Sequence, residues 1–223
     1  MIEKVTPAFV LAKAPVVKFI VLKDNEISCK YYEEARPTWQ KYAPDLQLSS
    51  VQGARVEDLS DWHKRYNLPF GSKAPVFRYT KWREFTPSEI ACWYAHYHQW
   101  VGIYNRGEAA VICEHDCMAV RPINWRVHFR PWDIVCFTQQ KKVRLDGTSY
   151  WRKVPCGGYY MSPHAAQRAL EIIPDYIILN VDDIIHRICT NVGEYSFLAQ
   201  HPTDCIHGTT VDHGTDDDSR YDL

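Results

Sequence analysis

In the stretch AAVICEHDCMAV, residues 109–120, Glu114 and Asp116 stand two residues apart at the end of an apolar run. Side chains alternate across a strand, so on an extended backbone the two carboxylates point one way and His115 the other. Like charges held in one small space call for a cation between them. A hard divalent ion that also bridges substrate phosphates is a common solution. The residues alone leave two further readings open. The acids could be solvated in the turn after an ordinary strand. Alternatively Cys113, His115 and Cys117, alternating onto the opposite face, could form part of a zinc set whose fourth ligand lies elsewhere.

Other groups with chemical potential are scattered along the chain. Asp182 and Asp183, in NVDDIIHRI, follow an expected strand and open a helix, where they can face a cleft as general bases or serve as helix caps. Asp133 begins DIVCF, another expected strand. His207, His213 and Asp216 lie among glycines near the C-terminus and could fold over a ligand. Glu89 can complete a capping box, and His96 lies within the same expected helix.

These groups need a frame. APVVKFIVL, residues 14–22, is rich in β-branched residues and predicts a buried first strand ending at Lys23. Residues 27–42 have helical spacing, with Pro37 expected to interrupt or kink the helix. Residues 43–82, punctuated by proline and glycine, read as loops with short strands. The sequence Thr86-Pro87-Ser88-Glu89 is a helix start, and the aromatic-rich segment after it should run to about Asn105. VPCGGYYM, residues 154–161, reads as a short apolar hinge. Ser162-Pro163 then opens a helix with Ala166, Ala169, Leu170 and Ile173 on one face. Strands alternating with helices predict an α/β layered domain.

The chain has 223 residues, 46% of them hydrophobic, enough for a sizeable core in one domain. Its formal net charge of -1 gives no general attraction to polyanions, so nucleic-acid contact would need a local patch. Eight cysteines without a paired CxxC, and an N-terminus without a signal-peptide pattern, point to reduced thiols in the cytoplasm. The longest apolar run is far below a membrane span. Residues 208–223 form an acidic, expectedly mobile tail.

Taken in order, FTPSEIACWYAHYHQW, AAVICEHDCMAV, PWDIVCF and GGYYMSPHAAQRALEII resemble glycosyltransferase family 25, the lipopolysaccharide-type and collagen galactosyltransferases. Glu89, Cys92, His96 and Trp100 fit that family's helix motif, Glu114 and Asp116 its acids, and Asp133 its next strand. Gly158, Tyr160 and Ser162 fit its last segment. VVKFIVLKD is similar to its first strand, which ends at the nucleotide. The likeness runs from about Val16 to Ile173. The chain departs from the family pattern at His115, where the family has its central acid, at Ala91, where it has glycine, and at Ala95, where it has serine.

The resemblance implies one GT-A-type, Rossmann-like domain, with a mixed central sheet flanked by helices, spanning residues 1–223. It implies a sugar moved from a nucleoside-diphosphate donor, a UDP-sugar by preference, to a hydroxyl of a glycan or lipopolysaccharide-type saccharide, with inversion and with Mn2+ or Mg2+ as cofactor. In that reading Leu22, Lys23, Glu89, His96, Glu114, Gly158 and Tyr160 line the donor site. Glu114, Asp116 and His213 hold the metal. Asp183, Asp182 or Asp133 supplies the base. Two rivals stand beside it. One is the same chemistry on modified DNA bases, motivated by the basic-aromatic segments RVHFRPW and QQKKVRLDGTSYWRK. The other is a non-catalytic nucleotide-sugar-binding protein in which His115 marks a decayed site.

Overall fold

A computed structural model describes residues 13–68, 75–78, 81–123, 125, 134–136, 140–143, 149–152, 157–176, 181, 185 and 205–207. The expected first strand is β1, Val16–Val21. It leads into α1, Glu26–Tyr42, whose N-cap Asn25 accepts from the Ser28 N–H at 2.9 Å. Pro37 lies inside this helix and does not end it, so of the two expected outcomes, interruption or a kink, the interruption does not occur. The apolar Phe19, Ala35 and Trp39 explain why. They bury α1 on the sheet, with the Phe19 and Trp39 rings edge-on at 6.0 Å, and this outweighs the loss of one backbone bond.

After β2, Leu48–Gln52, a 3-10 turn at Val56–Asp58 runs into α2, Leu59–Tyr66. The sequence reading had only loops and short strands here. Two short strands, β3 (Pro75–Arg78) and β4 (Lys81–Glu84), pair as a hairpin. Helix α3, Pro87–Arg106, starts at the expected capping box and stops at Gly107, which adopts a left-handed φ of 62°.

Strand β5, Ala110–Glu114, ends at Glu114. His115 and Asp116 form a turn, and β6, Cys117–Ala119, follows. The expectation of one strand carrying both acids is therefore corrected. The turn takes the chain out of the main sheet and under α1, where the Trp39 indole N–H donates to the Cys117 carbonyl at 2.7 Å and Ala119 N–H donates to Thr38 Oγ1 at 2.9 Å. There β6 pairs with β11, Cys205–His207. The remaining strands are β7 (Ile134–Cys136), β8 (Gln140–Val143), β9 (Ser149–Arg152) and β10 (Gly158–Met161), and β8 pairs with β9. The segment read as a hinge thus contains a central strand, β10. The last helix, α4, spans Pro163–Tyr176.

The main sheet has the order β2-β1-β5-β10-β7. Strand β1 runs parallel to β2 and β5, whereas β10 is antiparallel to β5 and β7, so the sheet is mixed. Val17, Phe19, Val21, Val111, Cys113 and Tyr160 face α1 and β6. Ile20, Ala110, Ile112, Tyr159 and Met161 face Trp93, Trp100 and Ile103 of α3 and the small-residue face of α4. The period-2 alternation of each strand thus feeds two cores, one on each side of the sheet. Among the described residues, no helix is long and apolar enough to cross a membrane.

Candidate functional site

The parallel strands determine where a site can lie. From β1 the chain crosses by α1 to β2 on one side, and later returns through α3 to β5 on the other. The strand order therefore reverses between β1 and β5. In open α/β sheets, ligands bind beyond the carboxyl ends of the strands at such a point. Here those ends are Leu22-Lys23 after β1 and Glu114 on β5, with Glu114 in register with Ile20.

At the end of β1 the Leu22 N–H donates to Ser28 Oγ at 3.0 Å, which draws the first turn of α1 against the strand. Lys23, Asp24, Gln52, Arg55 and Asp58 line a cleft of about 350 Å³ beyond β1 and β2. Arg55 grips Asp58 through two bonds of 2.6 and 2.9 Å and also pairs with Asp24. The Asp58 carboxyl is held below its usual range by the bond from Arg55.

At the end of β5 the site is built differently. Glu114 shares the sheet face of Ala110 and Ile112, so it points toward α3, and its side chain is 28% exposed. Opposite it on α3, Cys92 and His96 lie one turn apart at i and i+4, on the same helix face. The His96 Nε2 to Glu114 Oε1 distance is 3.5 Å, and one donor atom from each of Cys92, His96 and Glu114 falls within 4.8 Å of the others. The other ring nitrogen of His96, Nδ1, bonds the Tyr159 hydroxyl at 2.9 Å, and that hydroxyl accepts from the Trp100 indole N–H at 2.7 Å.

Burial works to lower the pKa of His96, but hydrogen bonds donated by the ring to Cys92 and Glu114 outweigh it and push the imidazole up to about 10. The group can therefore hold a proton between sulfur and carboxylate. With that proton gone, it offers sulfur, nitrogen and oxygen lone pairs to one ion.

The expected site residues are only partly gathered. Leu22, Lys23 and Glu114 lie at the strand ends described above. Gly158 begins β10 opposite Cys113, and the Gly157 carbonyl accepts from the Glu114 N–H at 2.8 Å, so this segment borders the same end. Glu89 closes the α3 capping box, its Oε2 accepting from the Thr86 N–H at 2.8 Å. Tyr160 is fully buried on the α1 face, away from Glu114, and its neighbour Tyr159 is the tyrosine that meets His96.

Asp116 is buried in the turn after β5 and is not a member of the Cys92–His96–Glu114 group. Cys113, His115 and Cys117 do not form a ligand group, because Cys113 and Cys117 pack in the α1-side core. Strand β11 brings the backbone of His207 into register with Cys117, one residue from Asp116. Asp133, Asp182, Asp183, His213 and Asp216 lie outside the described residues, as do Arg126–Arg130 and most of Gln139–Lys153 apart from the backbone of β8 and β9.

The sequence reading named His96 and Glu114 but did not join them to Cys92 as one group. The i, i+4 spacing of Cys92 and His96 on the helix preceding an acid-ended strand was the available signal. Comparison with models of known protein families and with curated protein sequences yields no match.

Proposed function

We propose that this chain is a glycosyltransferase of GT-A type that moves a sugar from a nucleoside-diphosphate donor to a hydroxyl of a glycan or lipopolysaccharide-type saccharide. The observation that carries the reading is the position of Glu114. It ends the central strand β5 at the point where the strand order reverses, in register with Ile20 of β1, whose own end carries Lys23, one of the residues lining the polar cleft beyond β1 and β2. The order of motifs along the sequence and the return of His207 beside the acid-bearing turn favour the same reading.

In this reading Lys23 and Gln52 meet the donor at the ends of β1 and β2, and Arg55 supplies a second cation near its phosphates. Glu114 and Asp116 hold the Mn2+ or Mg2+ ion. The fit is uneven: Asp116 is a hard oxygen donor in a buried turn, whereas Glu114 has a thiol and an imidazole for company, a softer set than such ions select. Bound there, the ion would offset charge developing on the leaving nucleoside diphosphate. The protein positions the anomeric carbon for attack by the acceptor hydroxyl, which inverts it, and a carboxylate takes the proton. Asp182, Asp183 and Asp133 are the candidates for that carboxylate.

The test is donor hydrolysis across uridine, guanosine and cytidine diphosphate sugars, with and without manganese, on the wild type and Asp116→Asn. Manganese-dependent cleavage of one donor, reduced at least about tenfold in the variant, is expected. No cleavage of any donor, with no thermal shift on adding nucleotide, refutes the transferase.

A further inference from the structure

We propose that Cys92, His96 and Glu114 form a binding site for one zinc-class divalent ion, held by the thiolate sulfur, the imidazole Nε2 and a carboxylate oxygen, with a fourth position open to solvent. The first ground is the donor set. Sulfur and imidazole nitrogen select zinc and its chemical neighbours over manganese and magnesium, which favour oxygen alone.

The second ground is spacing. Two ligands each about 2.1 Å from a tetrahedral ion are about 3.4 Å apart. His96 Nε2 and Glu114 Oε1 are 3.5 Å apart, so an ion fits between them without rebuilding the backbone. Two of the ligands come from one helix face and the third from the facing strand end, both rigid elements.

The third ground is support behind the ligand. A zinc-bound histidine keeps its other nitrogen on a hydrogen-bond partner that fixes the ring. His96 Nδ1 has that partner in Tyr159, and the indole of Trp100, which can only donate, fills one lone pair of the same hydroxyl. His96 and Tyr159 are buried, while Cys92 and Glu114 are half-buried, so an ion can enter from the side of the sulfur and the carboxylate. Three protein ligands and an open fourth position are the arrangement of zinc sites that bind water or substrate.

The assignment stands without the transferase. Where both hold, Glu114 is shared, and zinc would compete with the manganese site.

The experiment uses the full chain, stripped of metal and kept reduced, titrated with Co2+ as a spectroscopic substitute and then with Zn2+ in competition. Expected are one cobalt per chain, an intense thiolate-to-cobalt band, and displacement by zinc. In Cys92→Ser the band disappears. In Glu114→Gln the band persists, but zinc binds roughly 10- to 100-fold more weakly. Absence of the band at every cobalt concentration overturns the site. A band of unchanged strength in Cys92→Ser also overturns it, since the metal then belongs to another cysteine. Donor hydrolysis is not read in this experiment, so the two proposals can fail separately.

Discussion

Replacing Tyr159 by Phe removes one oxygen from a place that water cannot reach. The hydroxyl accepts from Trp100 Nε1 at 2.7 Å and bonds His96 Nδ1 at 2.9 Å, and all three side chains are at most 1% exposed. The indole N–H has no other role than donor, so leaving it unpaired costs about 1–3 kcal/mol. The bond to His96 involves a ring that Cys92 and Glu114 favour in its charged form, and such bonds contribute about 1.5–3 kcal/mol. Relief from burying the hydroxyl itself offsets part of this. A net loss of roughly 2–4 kcal/mol remains, a drop of about 4–16 °C in Tm for a chain of this size.

Urea unfolding at fixed pH measures it, and a cycle with Trp100→Phe isolates the pair. Once the indole donor is gone, the tyrosine hydroxyl has less to lose, so the double variant should be more stable than the sum of the single losses by about 1 kcal/mol. A loss below about 0.5 kcal/mol for Tyr159→Phe, or strict additivity, refutes the reasoning.

Gly107 ends α3 with φ of 62°, and nothing lies within 4 Å of a Cβ added there. Gly107→Ala should therefore cost only the left-handed backbone penalty, about 1 kcal/mol, with Gly107→Asn costing less; equal Tm values for alanine and glycine would contradict this. The pKa of His98 is lowered from 6.5, first by burial and then by Arg65, Lys18 and Arg106. The unfolded chain therefore takes up this proton first. The contribution is intact above pH 6.5 and is lost as pH falls through the folded value, so the wild type should lose more stability between about pH 7.5 and pH 5 than His98→Gln does. Parallel losses in urea titrations would remove His98 as the cause.

Local chemistry made some of this fold legible in advance. Thr86, Pro87 and Glu89 announce the start of α3, and Val16–Val21 can be read as a buried strand because all its residues but Lys18 are β-branched or aromatic. The small face of α4 is visible in the spacing of Ala166, Ala169 and Ile173. Other features depend on distant partners. Helix α2 has eight residues and no side-chain cap bond. Such a short helix is marginal alone, and it is held by Trp62 and Tyr66 against Tyr94 of α3. Strand β10 is buried on both faces, so GYYM shows no alternation to separate it from a hinge.

The site divides in the same way. Glu114 at a strand end can be read from the sequence, but its partnership with Cys92 and His96 depends on how α3 lies over β5. The alternation that aligned Asp116 with Glu114 assumed extended backbone through His115, and the chain turns there.

The pairing of β1 also sets a timetable for synthesis. Its first neighbour, β2, follows within one helix, so the β1-α1-β2 unit can close early. Its second neighbour, β5, begins at Ala110, and β10 completes the mixed sheet only at Met161. Roughly 140 residues separate the ends of β1 and β10, which at ribosomal speed is about 7–30 s. Through the first part of that interval, the edge of β1 destined for β5 carries a ladder of backbone groups without its partner. This edge of the nascent chain is where chaperones, or a second copy still being made, would compete with the native strand.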